Sequence, residues 1–534
     1  MSLPRRRFIG TALSGGVLAG LDAACTRSVG HPLVGTILGR HRAERGHRLW
    51  TPPTQAPDAP PQNARVVVVG GGVAGLGACW RLLQHGIHDI VLLDLDDRLG
   101  GTAQSGVSDT PVTAGQSYAL GAHYLTLPNP DNAPTRALLA ELGVISGFDT
   151  TTGRPHFAPG HLCLAPQERL HAVGEWVEGL WPDKLATAED NAQREAWEAL
   201  VDHWTHHVGA DGRPAFNIPV ALASTDPSIR ALANISFATW LDQQGLTSPV
   251  LRWLLEYATR DDYGTTLAET SAWAGLHYHC ARRPDPLDDR DLGTHVLTWP
   301  AGNGFLVNGL LGLVADRIRI ERGSLVRAVE PLEGRVHVER LADNAVYEIG
   351  AEHVILAVPS PIAHRLLGRP DDPAPTAAPW RVAVLHCDQP PESQGVPLAW
   401  DSVRYGTDDL GFISNAHQQG HYGGPTVLTW YQPLTGDTGR RDLLTASWEA
   451  ESQRVMDAIS PAHPDLRERV HRLDIWHWGH GTTRPTVGLH SGPVVADLAR
   501  PIGRVHRAHT DLSGVSLFEE ALWHGVRAAD EVVG

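Results

Sequence analysis

The chain has 534 residues, 42% of them hydrophobic and 19% charged. That composition is globular, and the length exceeds one ordinary core, so two or more domains or one elaborated α/β unit are expected. Sixty acidic against 44 basic residues give a net charge of −16. No RNA- or DNA-binding signature offsets it, which argues against a nucleic-acid partner.

In chain order, Arg5, Arg6 and Arg7 precede an apolar run from Phe8 to Leu21. A basic region, a weak apolar core and a small-residue end over residues 1–25 read as a twin-arginine export signal. The twin-arginine translocase is then a transient partner, and the location is periplasmic or otherwise extracytoplasmic. The run is too short to span a bilayer as a stable helix. Asp22-Ala23-Ala24-Cys25 ends like a lipoprotein cleavage box, with Asp22 where an aliphatic residue is usual. Both a free and a lipid-anchored Cys25 fit these residues, and that anchor is the only membrane attachment implied. Residues 26–62, ending "TPPTQAPDAPPQN", read as a linker. Cys79, Cys163, Cys280 and Cys387 show no CxxC spacing and imply no disulfide framework.

Val66 to Val69 form a β-branched run of the kind a buried parallel strand needs. A glycine turn follows, and then Leu76, Cys79, Trp80 and Leu83 recur at helical spacing. Ile90 to Leu93 give a second strand that ends in Asp94, completing one βαβ unit. Residues 131–295 contain "REAWEALVDHWTHHV", "FATWLDQQG" and "VLRWLLEYATR" with few strand signals, and read as a separate helical layer. Beyond Thr298 the pattern alternates with period two, with turns at Glu333-Gly334 and Asp343-Asn344. Its last strand, His353 to Val358, is apolar and belongs in the core sheet. Residues 380–480 mix short strands with a helix near Asp442 to Ile459, and the chain ends in one amphipathic helix. The fold class is α/β: a Rossmann-like domain with a discontinuous mixed α+β substrate domain.

Gly70-x-Gly72-x-x-Gly75, with Ala74 inside it, lies between the first strand and its helix. Gly70 permits the turn, Gly72 lets backbone approach a pyrophosphate, and Gly75 lets helix and strand pack closely. The helix N-terminus offers free N–H groups to the phosphates. Asp94 closes the next strand, where it can accept from ribose hydroxyls. The turn is built for a dinucleotide.

Beyond it, Arg98-x-Gly100-Gly101 resembles the second fingerprint of the FAD-dependent amine oxidase superfamily. That group includes monoamine and polyamine oxidases, protoporphyrinogen oxidase and phytoene desaturases. "YALGAHYL", containing Gly121, is similar to the family's turn beneath the flavin, and "WPAGNGFLVNGL" to its P-x-G-G segment. "GSLVRAV", "VILAVPSPIAHRLL" and "AHTDLSGVSLFEEALWHGVRAADEV" resemble the later segments in order. The resemblance implies FAD, bound by residues 63–130, 296–375 and 481–534, with residues 131–295 and 376–480 forming the substrate domain. It places Asp94 on the adenosine ribose and Arg98, Gly100 and Gly101 along the pyrophosphate and ribityl chain. It also places Val326 by the adenine, Asp511 by the ribityl hydroxyls and Leu522 against the isoalloxazine. Thr102 stands where the family often has arginine, and Glu519-Glu520-Ala521 where many members have Glu-Gly-Ala, so a side chain crowds the flavin or points away. The family's lysine near the flavin is not matched: Lys184, the only lysine in the chain, lies in an unrelated setting.

The implied activity is oxidation of a C–N bond in an amine or polyamine by hydride transfer to flavin N5. A desaturase-like or protoporphyrinogen-oxidase-like reaction on a C–C bond, and a non-catalytic flavin-binding envelope protein, are the alternatives. Trp430, Tyr431, Trp476, Trp478 and His480 are candidate pocket walls. His203, His207 and His277 to Cys280 read as surface or core residues, so no metal is expected. Nucleophile-elbow, HExxH and P-loop motifs are missing from the sequence.

Overall fold

A computed structural model describes residues 32–52, 61–285, 296–420 and 423–534. The stretch expected as an export signal, with Cys25, lies outside the described residues. Two sheets, of seven and eight strands, carry the architecture.

The first grows from the valine run. Strand β2 (Gln62–Val69) and strand β3 (Ile90–Leu93) are parallel and joined by helix α2 (Val73–Gln84). Val66 to Val69 are all buried, so the strand needs cover on both faces. On one side α2 packs with the helices Gly304–Val314 and Phe518–Val533, and on the other lies the meander's apolar face. Parallel strands Arg319–Glu321 and Val346–Leu356 flank β3 and β2, and Val505–Arg507 lies beyond Val346–Leu356. The meander turns fall where Glu333-Gly334 and Asp343-Asn344 place them. The apolar run expected as a separate last strand is the end of one strand, Val346–Leu356. Its residues Ile349 to Leu356 pair with Gln62 to Val69.

The second sheet runs in the order Ile37–Leu38, Val470–Thr483, Ala377–Cys387, Thr426–Pro433, Phe412–Ser414, Asp401–Arg404, Glu168–Ala172, Glu175–Glu178. Helices between Ala188 and Cys280 form a tryptophan-rich layer with its own core, as the sequence indicates.

Three expectations need correction. Part of the stretch expected as helical is a hairpin, Glu168–Ala172 and Glu175–Glu178, that extends the second sheet. Its tight turn places both Val173 (φ 53°) and Gly174 (φ 83°) in the left-handed region, as a two-residue hairpin loop requires. The helix expected over Asp442 to Ile459 is two, Gly439–Thr445 and Trp448–Ile459. Ser447 breaks it by adopting an extended conformation and accepting the Ala450 N–H as an N-cap. The expected linker is structured from Val34 to Trp50. Strand β1 (Ile37–Leu38) pairs in parallel with Ile475 and Trp476, and helix α1 (Arg40–His47) follows it. Among the described residues no helix is long and apolar enough to cross a membrane.

Candidate active site

Strand β2 delivers Gly70 to the start of α2, whose N-cap is Gly72. The Gly70 N–H donates to the Leu93 carbonyl at 2.8 Å, tying the turn to β3. A Cβ on Gly75 would stand 1.8 Å from the Gly70 carbonyl oxygen, so only glycine closes this helix onto its strand. Gly72 differs: a Cβ there would meet only the Gly101 Cα, at 3.9 Å. Gly72 and Gly101 therefore face each other across space that side chains would fill. This cradle, at a helix N-terminus, fits a diphosphate whose binding needs bare backbone on both sides. Ala74 is buried, its carbonyl so close to Gly525 that a Cβ there would lie 2.2 Å away.

Asp94 sits at the edge of the same cleft. Its Oδ2 accepts from the Gly71 N–H at 2.5 Å and its Oδ1 from the Asp96 N–H at 2.7 Å. Burial raises its pKa to about 6, against the lowering effect of the Gly71 bond and Arg42. The Ser324 N–H donates to the Asp94 carbonyl at 2.8 Å, which brings the Val326 strand beside it. Arg98 is exposed, and its guanidinium donates to the Ser105 carbonyl.

Further along, the turn at Gly121 opens onto a cavity enclosing about 920 Å³ of atom-free space, its open mouth included. Thr102 and Gly121 form one end, and Asn303, from the segment after Trp299, supports the turn by donating to the Tyr124 carbonyl at 2.9 Å. The Asn303 Oδ1 is buried without a partner, as is the Ser360 Oγ beside Asp511. Such orphaned acceptors are costly unless a bound group completes them. Trp380 and Val382 reach the cavity from the strand Ala377–Cys387, and Trp478 from Val470–Thr483. His123 packs its ring 4.9 Å from that of Tyr431, and burial lowers its pKa to about 4, so it is neutral.

The far wall is acidic. Asp261 and Asp262 occupy the last turn of the helix Pro249–Tyr263, where the helix dipole disfavours anions. The Tyr124 hydroxyl lies 3.5 Å from Asp261 Oδ2 and 3.3 Å from Asp262 Oδ1. Arg282 pairs with Asp262 at 2.8 Å. Asp261 has no cation of its own, and burial followed by its neighbour Asp262 raises its pKa. Glu519, at the start of the C-terminal helix, also lines the cavity, and burial pushes its pKa to about 7. Three carboxylates thus face one guanidinium among the lining side chains. Behind Tyr431, Asp401 accepts from the hydroxyls of Tyr257 and Tyr431 at 3.2 and 3.4 Å, and burial raises its pKa well above the usual range.

Among the expected walls, Tyr431 and Trp478 line the cavity. Trp430 does not: adjacent residues of a strand point to opposite faces, and its ring is buried on the other side with Met456, its Nε1 donating to Asp409. His480 is exposed and Trp476 lies behind Trp478 against Arg42; neither lines the cavity. Leu522, expected against the isoalloxazine, is packed on Gly77 of α2. Glu520 points away into the helical layer, accepting from the Val220 N–H and the Ser513 hydroxyl, so it does not crowd the cavity. Asp511 uses both oxygens on the protein, Oδ2 accepting from the Ser360 N–H and Oδ1 from the Thr483 hydroxyl, each at 2.7 Å. Lys184 pairs with Glu175 at the outer hairpin. Among the described residues no three His, Cys, Asp or Glu side chains converge as a metal site. Sequence reading missed His123, Asp261, Asp262 and Arg282, and named Glu519 only within the terminal segment; of the missed residues only the paired aspartates closing a helix against its dipole carried a signal.

A family model for flavin-containing amine oxidoreductases matches residues 73–533. AofH of Mycobacterium tuberculosis, by name a flavin-containing monoamine oxidase, is 24% identical over 512 residues, covering 90% of this chain and 98% of that protein. Coproporphyrinogen III oxidase of Mycobacterium leprae is 30% identical over 317 residues, covering 56% of this chain and 60% of that protein. Among solved structures, putrescine oxidase bound to putrescine superposes with a TM-score of 0.62 at 17% identity, over 89% of this chain and all of the other. The chain belongs to the flavin-containing amine oxidoreductases and is an FAD-dependent oxidoreductase.

Proposed function

We propose that the protein oxidises the C–N bond of an amine or polyamine. The observation that carries this reading is the set of acid groups in the cavity wall, three carboxyl groups against one guanidinium beside the rings of Tyr124, Tyr431, Trp380 and Trp478. Burial favours the neutral form of Asp261 and Glu519, and a substrate ammonium is the group that draws such a carboxyl into its charged form. Tyr124, Tyr431 and Trp478 add ring faces that attract a cation. An anionic substrate would instead meet like charge at the far wall.

Gly72, Gly101 and the α2 N-terminus hold the pyrophosphate of FAD in this reading, with Asp94 on the ribose. Bound there, FAD supplies the acceptor for the hydride that leaves the substrate carbon. Asp261 holds a positively charged nitrogen at the wall, since a fixed carboxylate favours the protonated form. The reacting nitrogen must instead be neutral, and Glu519, poised near pH 7, is the lining group best matched to take its proton. The aromatic walls exclude water and orient the carbon chain.

Two results test this. Asp261→Asn should raise KM for a cationic amine about 10- to 100-fold and change kcat less, because it removes a charge that binds ground and transition states alike. An unchanged KM would place the ammonium elsewhere. The raised pKa of Glu519 means that it is protonated below about pH 7 and charged above it. kcat/KM of the wild type should therefore rise as pH rises from about 6 to about 8, in steady-state assays. A kcat/KM that falls over that interval contradicts the assignment.

We also infer, from Arg5 to Leu21, export through the twin-arginine pathway to an extracytoplasmic location. Arg5→Lys with Arg6→Lys should leave a folded, flavin-loaded precursor in the cytoplasm on cell fractionation. Unchanged export would remove this inference.

A further inference from the structure

The loop after β3 carries Asp94, Asp96 and Asp97 at the edge of the cleft that takes the diphosphate. A diphosphate is anionic, so carboxylates beside it oppose binding unless they are neutralised. The loop itself contributes Arg98, whose guanidinium is taken by the Ser105 carbonyl, and Thr102 follows the glycine doublet. Arg322, between the strands Arg319–Glu321 and Ser324–Glu330, acts on Asp94, and α1 supplies two further cations. Arg45 reaches Asp97 at 2.9 Å, but the Asp97 side chain is 64% exposed and that pair is screened by water.

Arg42 is different. It pairs with Asp96, and the two side chains are only 17% and 16% exposed. The guanidinium also donates to Gln104 Oε1 at 3.2 Å and lies 4.9 and 5.2 Å from the rings of Trp476 and Trp478. Gln104 in turn donates to the Arg98 carbonyl at 2.7 Å. One side chain therefore ties the loop Asp94–Gln104 to the sheet whose Trp478 lines the cavity. Asp96 Oδ1 is buried without a hydrogen bond, so without Arg42 this carboxylate would stand uncompensated. Burial lowers the pKa of Arg42 to about 10, which leaves it charged at neutral pH.

We propose that Arg42, delivered by the N-terminal segment, is a cofactor-affinity residue: it neutralises Asp96 beside the dinucleotide cleft and pins the loop Asp94–Gln104, so that the diphosphate of FAD is retained. The role is electrostatic, and it belongs to a segment outside the recognised fingerprints.

The test is FAD release from the holo-protein, followed by the fluorescence of free FAD, in the wild type, Arg42→Ala, Asp96→Asn and the double variant. Melting of each apo-protein is measured alongside. Arg42→Ala should weaken FAD binding about 30-fold or more, the lower end of the range for truncating one partner of a buried charge pair. Asp96→Asn alone should bind at least as tightly as wild type, and in the double variant it should restore most of the loss. Two outcomes overturn the proposal. One is Arg42→Ala retaining FAD within about twofold of wild type. The other is an affinity loss that Asp96→Asn does not restore and that tracks a lower apo-protein melting temperature, which would make Arg42 a packing residue for Trp476 and Trp478.

Discussion

Gly72→Asp is expected to yield a folded, colourless protein. Gly72 has free space on its Cβ side, with only the Gly101 Cα at 3.9 Å, so an added side chain meets no protein atom that would unfold the turn. It would occupy the cradle instead. A carboxylate about 4 Å from a phosphate, at an effective dielectric of about 20, costs roughly 4 kcal/mol. That corresponds to about a 1,000-fold loss of FAD affinity before steric exclusion is added. Gly72→Ala should lose less, since it brings bulk without charge. The check is the flavin absorbance of the purified variants together with their circular dichroism. A yellow Gly72→Asp protein with normal stoichiometry would remove the diphosphate from this turn.

Asp511→Ala is the second large effect, and the structure changes what it should be. Family resemblance places this carboxylate on the ribityl hydroxyls, and in the protein each of its oxygens also accepts one hydrogen bond. Through Ser360 and Thr483 it joins the crossing after Val346–Leu356, the end of Val470–Thr483 and its own turn. Burial works against its charge, but His509 and the bonds from Ser360 and Thr483 outweigh it and hold the pKa well below the usual carboxylate range. Two hydrogen bonds to a charged group, at about 1.5–3 kcal/mol each, put the loss of stability near 3–6 kcal/mol. The apo-protein of the variant should therefore melt several degrees lower. A depressed folded-state pKa contributes stability that is present above the unfolded value near 4 and lost as pH falls below it. The melting difference between wild type and variant should accordingly shrink below about pH 4. A variant with unchanged apo-protein melting and weakened FAD binding would instead return Asp511 to the ribityl chain.

The βαβ unit was legible because its signals are local. Val66 to Val69, the three glycines and Asp94 each state their role within a few positions of one another. The cavity was not, because it is assembled from segments that read locally as something else. Asp261 and Asp262 end a helix that looks like ordinary amphipathic packing, and Glu519 begins another. Only the tertiary fold brings them opposite the Gly121 turn. The pair Trp430-Tyr431 shows the limit in one dipeptide: strand alternation says that one ring faces inward, but not which. The segment before β2 was misread for a different reason. Helix α1 reads "RHRAERGH", with no apolar period to announce it. It is held by charge pairs and by a two-residue strand, features that composition assigns to a linker.

The central claim is that this FAD-dependent oxidoreductase takes electrons from an amine. Its most direct test is the absorption spectrum of the purified protein under anaerobic conditions, recorded before and after adding monoamines, diamines and polyamines one at a time. The account predicts a flavin spectrum that bleaches with at least one cationic amine, and bleaches much more slowly in Asp261→Asn at the same sub-saturating concentration. A flavin that stays oxidised with every amine and is bleached only by an apolar polyene or a porphyrinogen would contradict it.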